Sequence, residues 1–174
     1  MLEISKRLID ISEMIRPKEK INKIFKIVLH HAPIKGATAI ANRNYVNELK
    51  KQDDIFCSYH YLIDFDGKII NLVPEDEMTI HTGIIDYDMH SISICLCYDY
   101  ENKITYPELN SLKNLSKYLI YKYSLNPTFD LIRCFDLINR RSPIFFVDNY
   151  HSFIDFKLDI IDDKLHNTIQ FNQD

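Results

Sequence analysis

Residues 58–73 constrain the fold more than any other stretch of this chain. A run of β-formers, Tyr59-His60-Tyr61-Leu62-Ile63, is followed by Asp66-Gly67 and then by a second run, Lys68-Ile69-Ile70-Asn71-Leu72-Val73, with Pro74 closing it. Asp-Gly between two such runs signals a β-hairpin, because a tight turn demands the positive φ that these residues tolerate. A lone hairpin is marginal in water and needs further strands or a helix to cover it.

The rest of the chain supplies those partners. Residues 25–29 read as a short buried strand, residues 91–98 as an apolar and therefore central strand, and residues 131–134 as another short one. Helical spacing of apolar residues recurs at Ile40, Tyr45, Val46 and Leu49 within residues 37–51. It recurs at Leu109, Leu112, Leu115, Leu119 and Ile120, in a helix opened by Thr105 as N-cap and Pro107 in its first turn and stopped at Asn126-Pro127. Ile4, Leu8, Ile11 and Ile15 predict a helix over residues 2–15 that Pro17 ends, and residues 152–158 a last short helix. The order of helices and strands defines an α/β protein with a central mixed β-sheet flanked by helices. The expected organisation is an N-terminal helical extension over 1–24, one sheet domain over 25–160 and a polar tail over 161–174.

At 174 residues such a domain buries roughly 70% of the surface of its unfolded chain, so its stability requires neither disulfides nor metal. The formal net charge of −4 argues against a nucleic-acid partner, which would call for a basic face. Three glycines in the whole chain leave no room for a glycine-rich phosphate loop, and no GxSxG elbow occurs. The four cysteines, Cys57, Cys95, Cys97 and Cys134, include no CxxC pair; Cys95 and Cys97, alternating on a strand, read as buried small apolar residues, and a reduced, cytoplasmic location is expected. Residues 1–20 lack the apolar core of a secretory signal, and no run reaches the roughly 20 apolar residues of a membrane span. Heavy use of Ile, Asn, Lys, Asp and Tyr suggests AT-rich coding, as in a phage, a virus or a low-GC bacterium.

Several residues are candidates for chemistry. His30 and His31 are adjacent on a strand, so only one can face a given side of the sheet. Tyr59 and Tyr61 are expected to share a face. Arg133, Arg140 and Arg141 form a basic cluster suited to a carboxylate or phosphate. Asp53-Asp54 and Glu75-Asp76-Glu77 read as solvated loops.

Four blocks, in this order, resemble the type 2 N-acetylmuramoyl-L-alanine amidases, a family that includes phage endolysins and peptidoglycan recognition proteins. They are Ile27-Val28-Leu29-His30-His31-Ala32; Ser58-Tyr59-His60-Tyr61-Leu62-Ile63 with Asp66-Gly67; Thr79-Ile80-His81-Thr82-Gly83 with His90-Ser91-Ile92-Ser93-Ile94; and Cys134-Phe135-Asp136 with Arg140-Arg141-Ser142-Pro143. The resemblance implies a groove over the sheet in which two His and a Cys or Asp hold zinc, with the fourth position left to water, and in which a Tyr and a basic residue assist. His30 matches the first ligand, Tyr59 the assisting Tyr and Arg140 the basic residue. Cys134 stands where the second His belongs and Ser142 where the third ligand belongs; His81 matches the groove wall.

A hydroxyl offers no low-pKa anion to zinc, so the matched positions supply His30 and, as a thiolate, Cys134. The expectation is therefore no cofactor, with zinc retained only if Asp136, His81 or His151 completes the set. The resulting reading is a catalytically degenerate amidase-fold protein whose former active-site groove, formed by His30, Tyr59, His81, Cys134, Arg140 and Ser142, binds a muropeptide or another small anionic molecule such as a nucleotide. Three alternatives stay open: an active cell-wall amidase with altered ligands, a cysteine–histidine hydrolase using Cys134 and His30, and a protein-interaction or inhibitor module that uses the N-terminal helix.

Overall fold

The computed structural model describes residues 2–21, 23–51 and 57–170, with side chains through 162; the expected acidic loop at Asp53-Asp54 lies outside the described residues. Six strands form one sheet: β1 (Ile4–Lys6), β2 (Lys26–His31), β3 (Tyr61–Ile63), β4 (Ile69–Asn71), β5 (Ser91–Leu96) and β6 (Leu131–Arg133). Their spatial order is β1-β4-β3-β5-β2-β6. The β3–β4 pair is antiparallel and every other pair is parallel, so the sheet is mixed. As expected, the 91–98 run is an inner strand, flanked by β2 and β3.

The hairpin turns as its Asp-Gly predicts. Gly67 adopts φ +82°, and a Cβ there would come within 2.8 Å of the Pro107 carbonyl, so the position excludes side chains on two counts.

Helices cover both faces: α1 (Ala39–Glu48), the short α2 (Ile85–Asp88), α3 (Tyr106–Lys122), α4 (Pro127–Asp130), α5 (Cys134–Ile138), α6 (Ile144–Asp148) and α7 (Tyr150–Gln170). Thr105 caps α3 in a capping box with Glu108, so two otherwise orphaned backbone donors are bonded. The two faces differ in content. Ile27, Leu29, Ile92, Ile94 and Leu96 point into an apolar core closed by Leu112, Leu115 and Leu119 of α3 and by Phe153, Phe156 and Ile160 of α7. On the opposite face Cys95, Cys97, Leu62 and Ile70 pack with Val46 of α1 and with Ile9 and Ile15 of the N-terminal arm.

That arm corrects an expectation. Residues 2–15 are not helical: Ile4–Lys6 pairs with Ile69–Asn71, and the Arg7 and Ile9 amides continue the pairing onto the carbonyls of Asn71 and Leu72 at 2.9 and 3.0 Å. The open edge of β4 offered backbone partners that outweighed helical periodicity. The periodic positions Leu8 and Ile11 are consequently exposed while Ile9 is buried. Arg16 then pins the arm through a buried two-contact ion pair with Glu77 (2.7 and 3.2 Å) and a bond to the Ile9 carbonyl. The described residues before 25 are thus part of the sheet domain rather than a helical extension.

Two further expectations change. Glu75 and Glu77 are not in a solvated loop: Glu75 accepts hydrogen bonds from Tyr61 (2.6 Å), Tyr123 and Lys122. The chain from 161 to 170 continues α7 instead of forming a tail, because Phe153, Phe156 and Ile160 anchor a longer helix than the expected 152–158. Among the described residues no helix is long and apolar enough to cross a membrane.

Candidate functional site

Strand alternation sends Val28 and His30 of β2 to the polar face, and parallel register sets His30 opposite Cys95 of β5. Tyr59 reaches this place from the turn before β3, its ring centroid 5.2 Å from that of His30. Tyr59 and Tyr61 do not share a face: Tyr59 packs in the polar-face cluster and Tyr61 in the apolar core. Regular pairing starts only at Tyr61, so the period-2 rule does not extend back to Tyr59.

His81 meets His30 edge-on, its Nδ1 2.9 Å from His30 Nε2. Its other ring nitrogen lies 2.9 Å from Ser91 Oγ and 3.5 Å from an Asp88 oxygen. The same carboxylate accepts from the backbone amides of His81, Thr82 and Gly83 and from the Thr82 hydroxyl, which fixes the loop that carries His81. His60 is buried and bonded to Ser93 and to the Glu77 carbonyl.

Cys134 and Ser142 come from the far side of the site. β6 runs directly into α5, so Cys134 opens that helix and is fully buried. The Ser142 carbonyl accepts from the Phe135 amide, which folds the following loop back against α5. The Ser142 hydroxyl accepts from the His31 amide at 3.0 Å and is buried. His31 faces away from His30 and accepts at Nδ1 from the Ile144 amide.

The electrostatics are those of a buried, largely neutral site with one cation at its edge. Burial pushes the pKa of His30 well below its usual range, and the neighbouring His81 and Arg140 add to the effect. Burial brings His81 and His60 to about 3 and, with Arg140 and Arg141, His31 to about 4. Burial raises Tyr59 well above 10 and Cys134 to about 11, the latter against the opposing pull of Arg140. Burial thus opposes the thiolate that a cysteine nucleophile requires.

The expected basic cluster separates into three roles. Arg133 is buried, bonded to Asp136 and the Phe146 carbonyl and stacked on Phe135, Tyr150 and Phe153. Arg141 grips Asp148 through two nitrogens. Arg140 is exposed, and its guanidinium makes no hydrogen bond or ion pair with a described residue.

Among the described residues no three His, Cys, Asp or Glu side chains lie together as a metal-holding group. None of the three residues considered as replacements completes the set: Asp136 is committed to Arg133, His81 to His30 and Ser91, and His151 is exposed on α7. Sequence reasoning missed Cys57, whose thiol donates to the Tyr59 hydroxyl at 2.9 Å, and the roles of Asp88 and Ser91. Only the alternation of Ser91, Ser93 and Cys95 along one strand hinted at a polar face.

The N-acetylmuramoyl-L-alanine amidase family model matches residues 20–157, and the chain belongs to that family. The amidase BlyA of Bacillus subtilis (strain 168) is 23% identical over 167 residues, 86% of this chain and 44% of the relative. The amidase CwlL of Bacillus licheniformis is 24% identical over 82% of this chain and 42% of its own. The chain thus spans less than half the length of these curated relatives. The fold matches the catalytic domain of XlyA with a TM-score of 0.73 at 20% identity, covering 89% of this chain and 99% of that one. It also matches the Drosophila peptidoglycan recognition protein SD, with a TM-score of 0.62 at 14% identity, over 82% and 89% of the two chains.

Proposed function

We propose that this chain is a binding member of the amidase family, holding a muropeptide or another small anionic molecule at the His30–Tyr59–Arg140 site without zinc-dependent hydrolysis. The observation that carries this reading is the state of Ser142: its side chain is a hydroxyl turned inward onto the His31 amide. With Ser142 at the third position, the matched residues offer His30 and Cys134, fewer than the three protein ligands that a catalytic zinc normally has. Arg140 supplies the anion-binding group, since its charge is not neutralised by a described carboxylate and is felt at His30, His31 and Cys134.

The test pairs binding with turnover. Calorimetric titration with N-acetylmuramoyl-L-alanine should show binding, and incubation with purified cell wall should release no peptide. Chelator-sensitive peptide release that disappears in His30→Ala would replace this reading with the active amidase. That second reading draws on the printed names of the curated relatives and on the retention of His30 and Tyr59. The interaction-module alternative loses its motive, because the segment expected as a free amphipathic helix is an integral edge strand.

A further inference from the structure

His60 and His81 lie with His30 on the polar face, and the protons around His30 can be placed from geometry alone. The Ser91 hydroxyl lies 2.6 Å from the Tyr87 carbonyl. A carbonyl only accepts, so the hydroxyl proton belongs to that bond; two bare oxygens at this separation would repel. Ser91 Oγ is then left to accept from His81 Nε2 at 2.9 Å. A second contact agrees, since an Asp88 carboxylate oxygen stands 3.5 Å from the same nitrogen and favours an N–H over a lone pair there. A neutral His81 protonated at Nε2 has its lone pair at Nδ1, where it accepts from His30 Nε2 at 2.9 Å. The Nδ1 lone pair of His30 is the end of the chain.

The neighbouring histidines finish differently. Nδ1 of His31 is consumed by the Ile144 amide at 3.2 Å, and Nδ1 of His60 by the Ser93 amide at 3.0 Å. His30 Nδ1 makes no hydrogen bond with a described residue. Nor is it among the sealed, partnerless side-chain atoms, which among the described residues are Glu108 Oε1 and Ser116 Oγ.

We infer that His81 and Ser91 are positioning residues that lock His30 in the Nε2-protonated tautomer, so that the site presents the His30 Nδ1 lone pair to a ligand. The tautomer stands on the hydrogen-bond polarity alone. Its consequence for recognition rests on the binding role proposed above: the matching ligand group is a hydrogen-bond donor, an amide N–H or a hydroxyl, on a molecule whose anionic group meets Arg140. A ligand that offers a carbonyl oxygen to His30 meets lone pair against lone pair and is rejected.

Long-range proton–nitrogen correlation spectra of the free protein test the lock directly. His30 should show a protonated Nε2 and a bare Nδ1 in the wild type. The pattern should persist in His81→Asn, whose amide oxygen can take the place of His81 Nδ1, and should break down into mixed tautomers in His81→Phe. A wild-type His30 protonated at Nδ1, or a pattern unchanged in His81→Phe, overturns the relay; the wild-type spectrum decides even if the Phe variant fails to fold. Titration with N-acetylmuramoyl-L-alanine should then shift the His30 Nδ1 resonance toward its hydrogen-bonded value. Binding that leaves Nδ1 unmoved overturns the donor assignment. Absence of binding with the tautomer in place sinks the binding role while the relay stands.

Discussion

One strand, β5, shows how differently the two faces of this sheet are built. Ile92, Ile94 and Leu96 enter an apolar core closed by α3 and α7, where packing alone sets the energy. One residue out of phase, Ser91, Ser93 and Cys95 enter a face of bonded polar groups: Ser93 serves His60 and Thr79, and Ser91 serves His81. The contrast teaches a division of labour. The first face stabilises the fold, and the second spends part of that stability on holding neutral imidazoles in fixed orientations.

The comparison can be broken most severely with acid. Burial, foremost, lowers His60 and His81 of the polar face from 6.5 to about 3, and His31, on the opposite side of β2, to about 4. Unfolding frees them to take up protons below pH 6.5, so the stability they contribute is complete above that pH and is lost as pH falls toward 4. Urea midpoints should drop steeply between pH 7 and 4, with a dependence requiring uptake of more than two protons. A flat profile would mean that these imidazoles are solvated.

Next in size is Ile94→Ala on the apolar face, which should cost about 3–4 kcal/mol in urea denaturation at pH 7. Ser93→Ala, its neighbour on the other face, should cost only about 1–2 kcal/mol, for stripping an acceptor from the buried His60 amide. Equal losses would erase the distinction between the faces.

Glu108 gives the apolar layer a titration of opposite sign. Burial, foremost, raises its carboxyl to about 8 in the folded protein, and Oε1 has no partner. The unfolded carboxyl ionises near 4.5, so folding grows less favourable as pH rises from there toward 8. Glu108→Gln keeps a capping oxygen and removes the charge. It should raise stability at pH 8 by about 1–3 kcal/mol and leave it nearly unchanged at pH 5. The smallest effect on stability belongs to Arg140→Ala, expected within about 0.5 kcal/mol of wild type. The same change should weaken N-acetylmuramoyl-L-alanine binding roughly tenfold or more through loss of a charge-assisted contact, whereas Arg141→Ala, whose guanidinium is bound to Asp148, should weaken it far less.

The sequence exposed those parts of the fold whose signals are local. The hairpin, the capped helix α3 and the inner strand β5 were legible because turn chemistry, a capping box and apolar runs act over a few residues. The N-terminal arm was not, because its backbone partners come from Ile69–Asn71, and no periodicity within residues 2–15 reports an open edge elsewhere. Resemblance located His30, Tyr59, Cys134 and Ser142. It could not show that Ser142 would turn onto the His31 amide, nor that Arg133 and Arg141 would be consumed by Asp136 and Asp148. Cys57 and Asp88 went unread because their roles exist only through contacts with Tyr59 and with the loop carrying His81.

Calorimetric titration of zinc into the metal-free protein, followed through the His30 ring resonances, addresses the ligand-set argument directly. With an inward-bonded hydroxyl at 142 and only His30 and Cys134 left as donors, no site tighter than about micromolar should appear and the His30 signals should stay in place. One equivalent of zinc bound at nanomolar affinity, with the His30 resonances displaced, would contradict the account and return hydrolysis to this site.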